Sequence, residues 1–217
     1  MAIDKTENTS AGDFLPKTRS LPSLQQAAKS CKGCDLYLSA TQTVFGDGPG
    51  HASVMLVGEQ PGDIEDQQGA PFVGPAGRML DRALEDARIS RDEVYVTNAV
   101  KHFKWIWRGK RRLNQKPSIR QVVACRPWLE VEIEAVQPQI LVCMGATAAQ
   151  SVLGKPVAIM KERGRFIDSV LGKLTFVTIH PSAILRQRDN DEREQEYHRF
   201  AAEMKVVKRK LQSLSAA

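Results

Sequence analysis

Apolar positions along this chain fall into two patterns: short unbroken runs, and longer stretches where they recur every three to four residues. Residues 54–57, Val-Met-Leu-Val, form an unbroken run that Gly58, Pro61 and Gly62 halt, the mark of a buried strand ending in a tight loop. Similar runs predict strands over residues 94–100, 140–144, 164–171 and 174–179. The longer period predicts helices over residues 24–28, 77–87, 120–136, 146–153 and 192–211, with Pro138 stopping the third. Strands alternating with helices imply an α/β fold, a parallel sheet with helices on both faces. Residues 1 to about 22 mix Thr, Ser, Gly and Pro with charges, show no sustained period, and read as a mobile tail. Residues 23–217 then form a single domain.

In open α/β sheets ligands bind beyond the carboxyl ends of the strands, where the loops diverge. The first strand here releases Gly58, Glu59, Gln60 and, one turn on, Asp63. The second carries Asn98, and the last releases His180-Pro-Ser182. Each has a plain structural alternative: a solvated Gly/Pro turn, a turn-capping Asn, a His that precedes proline. Three separate segments reaching one sheet edge is what marks a candidate site.

With 217 residues, 42% hydrophobic and 26% charged, the chain is long enough to bury one full core. No apolar run approaches the roughly 18 residues of a membrane span, and the N-terminus lacks the layout of a secretory signal, so a cytoplasmic location is expected. The net charge of +6 permits a polyanionic partner, and its distribution says more. Residues 101–120 hold Lys101, Lys104, Arg108, Lys110, Arg111, Arg112, Lys116 and Arg120 and no acid, with Phe103, Trp105 and Trp107 interleaved. Read as a loop after the Asn98 strand, this stretch lies beside the cleft, where cations neutralise phosphates and aromatic faces stack on unpaired bases. The alternative is a solvated face with its aromatics packed on the core.

Cys31-x2-Cys34, Cys125 and Cys143 are the four cysteines, and without a secretion signal structural disulfides are disfavoured. Four thiolates hold either tetrahedral zinc or an iron–sulfur cluster. The second close pair usual in zinc ribbons is missing, and Cys125 and Cys143 are each compatible with burial in the core. Spacing alone does not choose among these.

Gly58-Glu-Gln-Pro-Gly-Asp63, Pro71-Phe-Val-Gly-Pro-Ala-Gly77, His180-Pro-Ser182 and the cysteine pattern together resemble the iron–sulfur uracil-DNA glycosylases of family 4. From about Cys31 to the terminal helix, including Lys101-His-Phe-Lys104 and Lys110-Arg-Arg-Leu-Asn-Gln-Lys-Pro117, the chain is similar to their X-type branch. The resemblance implies a three-layer α/β/α fold and a 4Fe–4S cluster on Cys31, Cys34, Cys125 and Cys143. It also implies a monomer acting on uracil in single- or double-stranded DNA, hydrolysing the N-glycosidic bond to leave an abasic site for base excision repair.

On that reading Phe72 stacks on the base. Asn98 accepts from uracil N3–H and donates to O4, a pairing that cytosine reverses. His180 donates to a base oxygen, its protonation state left open, and Glu59 faces the sugar. Gln60 and Asp63 shape the pocket, Ser182, Arg112 and Arg186 contact phosphates or the flanking strand, and Lys101, Lys110, Arg111 and Lys116 bind the DNA backbone. One position departs from the pattern. X-type enzymes carry, in place of Asn114, a histidine that captures the sugar covalently. An amide nitrogen is a poor nucleophile, so water is expected to take its place. Two other readings remain: a module that binds or traps uracil-containing or abasic DNA without turnover, and a phosphate-binding α/β enzyme using the 58–62 loop. The second lacks both G-x-G-x-x-G and Gly-Lys-Ser/Thr.

Overall fold

The computed structural model describes residues 9–169, 171 and 173–216. A 3-10 turn, Ala11–Phe14, precedes α1 (Leu21–Ala28), and a second, Asp35–Leu38, leads towards β1 (Val54–Gly58). There follow α2 (Asp63–Gln68), α3 (Pro75–Asp86), β2 (Val94–Asn98), β3 (Trp105–Arg108), β4 (Arg111–Asn114) and α4 (Ile119–Val136). The rest is β5 (Ile140–Met144), α5 (Ala146–Leu153), α6 (Ile159–Glu162), β6 (Arg165–Asp168), β7 (Leu174–Thr178), α7 (Pro181–Leu185) and α8 (Asn190–Ser215).

Five strands form one sheet in the order β2-β1-β5-β7-β6, parallel except for β6, which runs antiparallel to β7. The stretch between β6 and β7 is too short for the crossover that a parallel pair needs, which is why the sheet is mostly, not wholly, parallel. Alternate side chains serve opposite faces. Leu56, Val96, Val142 and Phe176 meet Leu80 and Leu84 of α3 and Phe200 and Met204 of α8. Met55, Leu141 and Val177 meet Leu129 and Ile133 of α4 and Val152 of α5. Helices on both faces make the expected α/β/α layering. Among the described residues no helix is long and apolar enough to cross a membrane.

Two stretches differ from the sequence expectation. Part of the expected tail, residues 10–15, is packed: Ser10 caps the first turn by accepting from Gly12, Asp13 accepts from the Ser10 amide, and Ala11 is buried in the cluster that includes Val122 and Trp128 of α4. Local capping supplied order that a search for periodicity does not detect. The basic stretch is a β3–β4 hairpin, not a loop, and turns through Gly109 at φ +60°. Gly109 sits at the first position of a two-residue turn, where positive φ suits the twist of a hairpin.

The last strand is tied to the last helix by a buried polar network. Thr178 Oγ1 donates to Glu203 of α8 at 2.5 Å, and Arg163 bridges Glu203 and Glu196 at 2.9 and 2.8 Å.

Candidate active site at the strand ends

Gly58 ends β1 beside Asn98, the last residue of β2. A Cβ at Gly58 would lie 2.4 Å from Asn98 Oδ1 and 2.7 Å from the Phe72 ring, so only glycine lets these two side chains meet over the strand end. Phe72 is buried in the left-handed region at φ +57°, and its ring stacks on His180 with centroids 5.9 Å apart. Asn98 is 3% exposed, and its carboxamide hydrogen-bonds to none of the described residues. The backbone around it is fixed: the Ala99 and Val100 amides donate to the carbonyls of Gly58 and Glu59 at 2.9 and 3.0 Å.

His180 has a defined tautomer. The Ser182 amide donates to Nδ1 at 3.2 Å, and the Ser182 hydroxyl, itself accepting from Arg186 at 2.9 Å, lies 2.8 Å from the same nitrogen. Nδ1 is therefore the acceptor, and the ring proton sits on Nε2. Burial, aided by the Arg186 charge, holds the imidazole pKa down at about 4, so the ring is neutral near pH 7. Ser182, expected on the substrate, instead orients His180.

Glu59 is half-buried and accepts from Thr147 Oγ1 at 2.5 Å. Thr147 lies in the first turn of α5, just past β5, the one parallel strand whose end the sequence reading left out. Gln60 is also reassigned. Its amide nitrogen donates to the carbonyls of Lys104 and Gln115, and its oxygen accepts from the Lys104 amide, so it clasps the base of the hairpin. Asp63 opens α2 and pairs with Arg112 at 2.5 Å.

The cations of residues 101–120 divide into two groups. Lys101, expected on DNA, is wholly buried and ion-paired with Glu132. Arg112, expected on phosphate, is committed internally: it holds Asp66 at 2.7 Å and lies over the rings of Phe103 and Trp105 at 5.5 and 5.4 Å. A composition count cannot tell a solvated cation from one with carboxylate partners distant in sequence. Lys110, Arg111, Lys116 and Arg186 are exposed. Asn114 is exposed at the end of β4, opposite Trp105.

The cysteines also divide. Cys31 and Cys125 pack in one cluster with Leu24, Ala28 and Trp128, while Cys143 lies mid-sheet in another with Met55 and Leu129. Burial pushes the Cys125 thiol up to about 12, with Lys101 opposing and Cys34 and Cys31 adding, whereas burial alone raises that of Cys143. Cys143 is thus corrected to a core residue, its direction set by strand alternation on β5.

His102, which sequence reasoning passed over, is buried next to Lys101, whose amide meets Cys125. Its Nε2 lies 2.9 Å from Thr43 Oγ1, whose only proton goes to the carbonyl of Ala28. Nε2 is therefore the donor, and buried Nδ1 keeps a bare lone pair with no partner among the described residues. Lys101 N–H and Trp128 Nε1–H donate to the sulfurs of Cys125 and Cys31, each at 3.2 Å. Among the described residues no three ligating side chains converge tightly enough for a single ion. A multi-iron cluster spans a wider gap, and N–H donors aimed at sulfur suit one. The signal available in the sequence was the position of His102 inside the Lys101-His-Phe-Lys104 motif.

The description Uracil DNA glycosylase superfamily matches residues 45–205. A type-4 uracil-DNA glycosylase of Thermotoga maritima is 38% identical over 169 residues, covering 77% of this chain and 84% of that protein. One from Sulfurisphaera tokodaii is 33% identical over 178 residues, 76% of each chain. A type-5 uracil-DNA glycosylase of Pyrobaculum aerophilum is 28% identical over 152 residues, 62% of this chain and 63% of that protein. With its strand-end residues lying inside the matched span, the chain belongs to the uracil-DNA glycosylase superfamily, within the type-4 family.

Proposed function

We propose that this protein hydrolyses the N-glycosidic bond of deoxyuridine in DNA, releasing uracil and leaving an abasic site for repair. The observation that carries the reading is the convergence of Asn98 and the Nε2–H of neutral His180 around the Phe72 ring, where Gly58 leaves room. A uracil out of the helix stacks on Phe72 while Asn98 accepts from N3–H and donates to O4. As the bond to C1′ stretches, its electron pair moves onto the base, and His180 donates its Nε2–H to the oxygen where that charge gathers. Glu59, pinned by Thr147, stabilises the cationic sugar and takes the proton of the water that attacks C1′. Exposed Lys110, Arg111, Lys116 and Arg186 supply phosphate contacts.

The donor set fits an iron–sulfur cluster on Cys31, Cys34, Cys125 and His102. Such a cluster supplies cross-links among the N-terminal segment, the stretch after β2 and α4. Iron and sulfide analysis of anaerobically purified protein tests this, and zinc in place of iron overturns it.

Asn114 stands where the X-type branch has its trapping histidine. Its amide lone pair is delocalised, so water attacks and the enzyme turns over repeatedly. Incubation with excess single-uracil oligonucleotide, followed by alkali, is expected to give more than one scission per protein and no denaturant-resistant complex. Asn114→His is expected to gain such a complex and lose turnover. A covalent adduct on the unsubstituted protein refutes the hydrolytic reading. Retarded DNA with its base intact leaves a binding module.

A further inference from the structure

Base excision as derived above makes no use of a strongly polar cluster at the centre of the molecule. Lys101 and Glu132 are both wholly buried. The three protons of the Lys101 ammonium go to Glu132 Oε2, to Thr97 Oγ1 at 2.6 Å and to the main-chain carbonyl of Asn98 at 2.8 Å. Glu132 Oε1 in turn accepts from the Gly46 amide at 2.9 Å and from Tyr95 Oη at 3.0 Å. Removing two charges from water is costly, and a well-packed apolar pair is often at least as stable, so stability alone does not account for them.

Geometry does. The peptide plane following Asn98 is gripped at both polar ends, with Ala99 N–H on the Gly58 carbonyl and Asn98 C=O on the Lys101 ammonium. The Asn98 carboxamide bonds to none of the described residues, so its aim is inherited from this backbone. We propose that Lys101, held in place by Glu132, is a positioning residue for base selection: it sets the direction in which Asn98 presents its amide to the base. The proposal rests on the reading of Asn98 as the group that recognises uracil. Reading N3–H and O4 together requires both halves of the amide to be aligned. Loss of the ammonium grip therefore affects discrimination between bases more than affinity for DNA. The same residue donates its own N–H to Cys125 Sγ, so the aim of Asn98 is referenced to the cysteine cluster as well as to the sheet.

Lys101→Met alone strands a buried carboxylate, so the test removes both charges at near-constant volume with Lys101→Met/Glu132→Gln. The readouts are affinity for an oligonucleotide carrying a 2′-fluorinated, cleavage-resistant deoxyuridine, affinity for its thymidine counterpart, single-turnover release of uracil, thermal midpoint and iron content. The doubly substituted protein is expected to keep its iron and its affinity for the thymidine strand. Its deoxyuridine preference and its release rate should both fall about tenfold, whereas in an Asn98→Ala background the same pair changes either by less than about twofold. Thr97→Val, isosteric and uncharged, frees one of the three ammonium contacts and is expected to lower the preference about threefold even if the double substitution does not fold. Equal losses with and without Asn98, or unchanged preference in the Asn98 protein, overturn the proposal. A parental protein that prefers deoxyuridine without releasing uracil removes the glycosylase reading but leaves the binding comparison decisive. One with no deoxyuridine preference removes Asn98 as reader and the role of Lys101 with it.

Discussion

The strand-end pocket and the β3–β4 hairpin lie next to each other and share Gln60, yet their polar side chains are held in different ways. In the pocket a polar group's position follows from which strand it terminates: Gly58 and Asn98 are paired by sheet register, and His180 arrives two residues beyond β7. In the hairpin, adjacent cations go to opposite environments. Arg111 is in solvent while Arg112 is locked to Asp63 and Asp66, because alternate residues of a two-stranded ribbon face opposite sides. Chemistry at a strand end is thus placed by the whole sheet. Chemistry on a ribbon is placed by the partner that happens to lie beneath it.

The widest separation should come from the cations themselves. Lys101→Ala leaves Glu132 buried and unpaired and is expected to cost about 3–5 kcal/mol of stability, against less than about 0.5 kcal/mol for Lys110→Ala, both read from denaturant midpoints. Equal midpoints would erase the division between inward and outward cations. Next in size are the pocket groups. His180→Ala or Glu59→Gln is expected to slow uracil release by about 10²–10³-fold in single-turnover assays with DNA affinity intact, while Arg111→Ala leaves that rate unchanged. Excision at the parental rate by both pocket variants would move the active edge elsewhere.

The cysteines give a sharper, smaller contrast. Cys143→Ala is expected to retain its iron and lose about 1 kcal/mol through a small cavity, whereas Cys34→Ala and His102→Ala lose iron. Iron loss from Cys143→Ala with retention in His102→Ala would restore the four-cysteine set. A gentler effect belongs to Lys116→Ala and Arg111→Ala, each expected to reduce the slope of log affinity against log salt by about one, without altering base preference.

Protonation of His180 gives the mildest signal. Its pKa of about 4 in the folded protein lies below the 6.5 of a free imidazole. As pH falls from 6.5 towards 4 the unfolded chain takes up the proton first, so this residue's contribution, complete above 6.5, is lost across that window. The midpoint difference between parental protein and His180→Asn should shrink accordingly. A constant difference would mean that the ring takes up its proton as readily in the folded protein as in the unfolded chain.

How much of this was written in the sequence depends on the same distinction. The four parallel strands, and the residues that end β1, β2 and β7, are legible because an apolar run that gives way to polar or turn residues fixes both the strand and its end. The antiparallel β6 and the hairpin were not, since direction depends on connection length and on turn chemistry at Gly109. Cys143 resembled a ligand until strand alternation aimed it into the core. His102 and Thr147 carry no pattern of their own: each matters because of an atom brought near from far along the chain, Thr43 in one case and Glu59 in the other. Local capping at Ser10 was readable in principle, and the absence of period hid it.

The tie between Thr178 and Glu203 has a consequence for the order in which the protein is made. Glu59, Phe72 and Asn98 leave the ribosome well before His180, and Thr178 of β7 meets Glu203 only when α8 has followed it out. Phe200 and Met204 of α8 also cover the face of β1, β2 and β5, so the sheet that carries Asn98 and the strand that delivers His180 are completed together by the last helix.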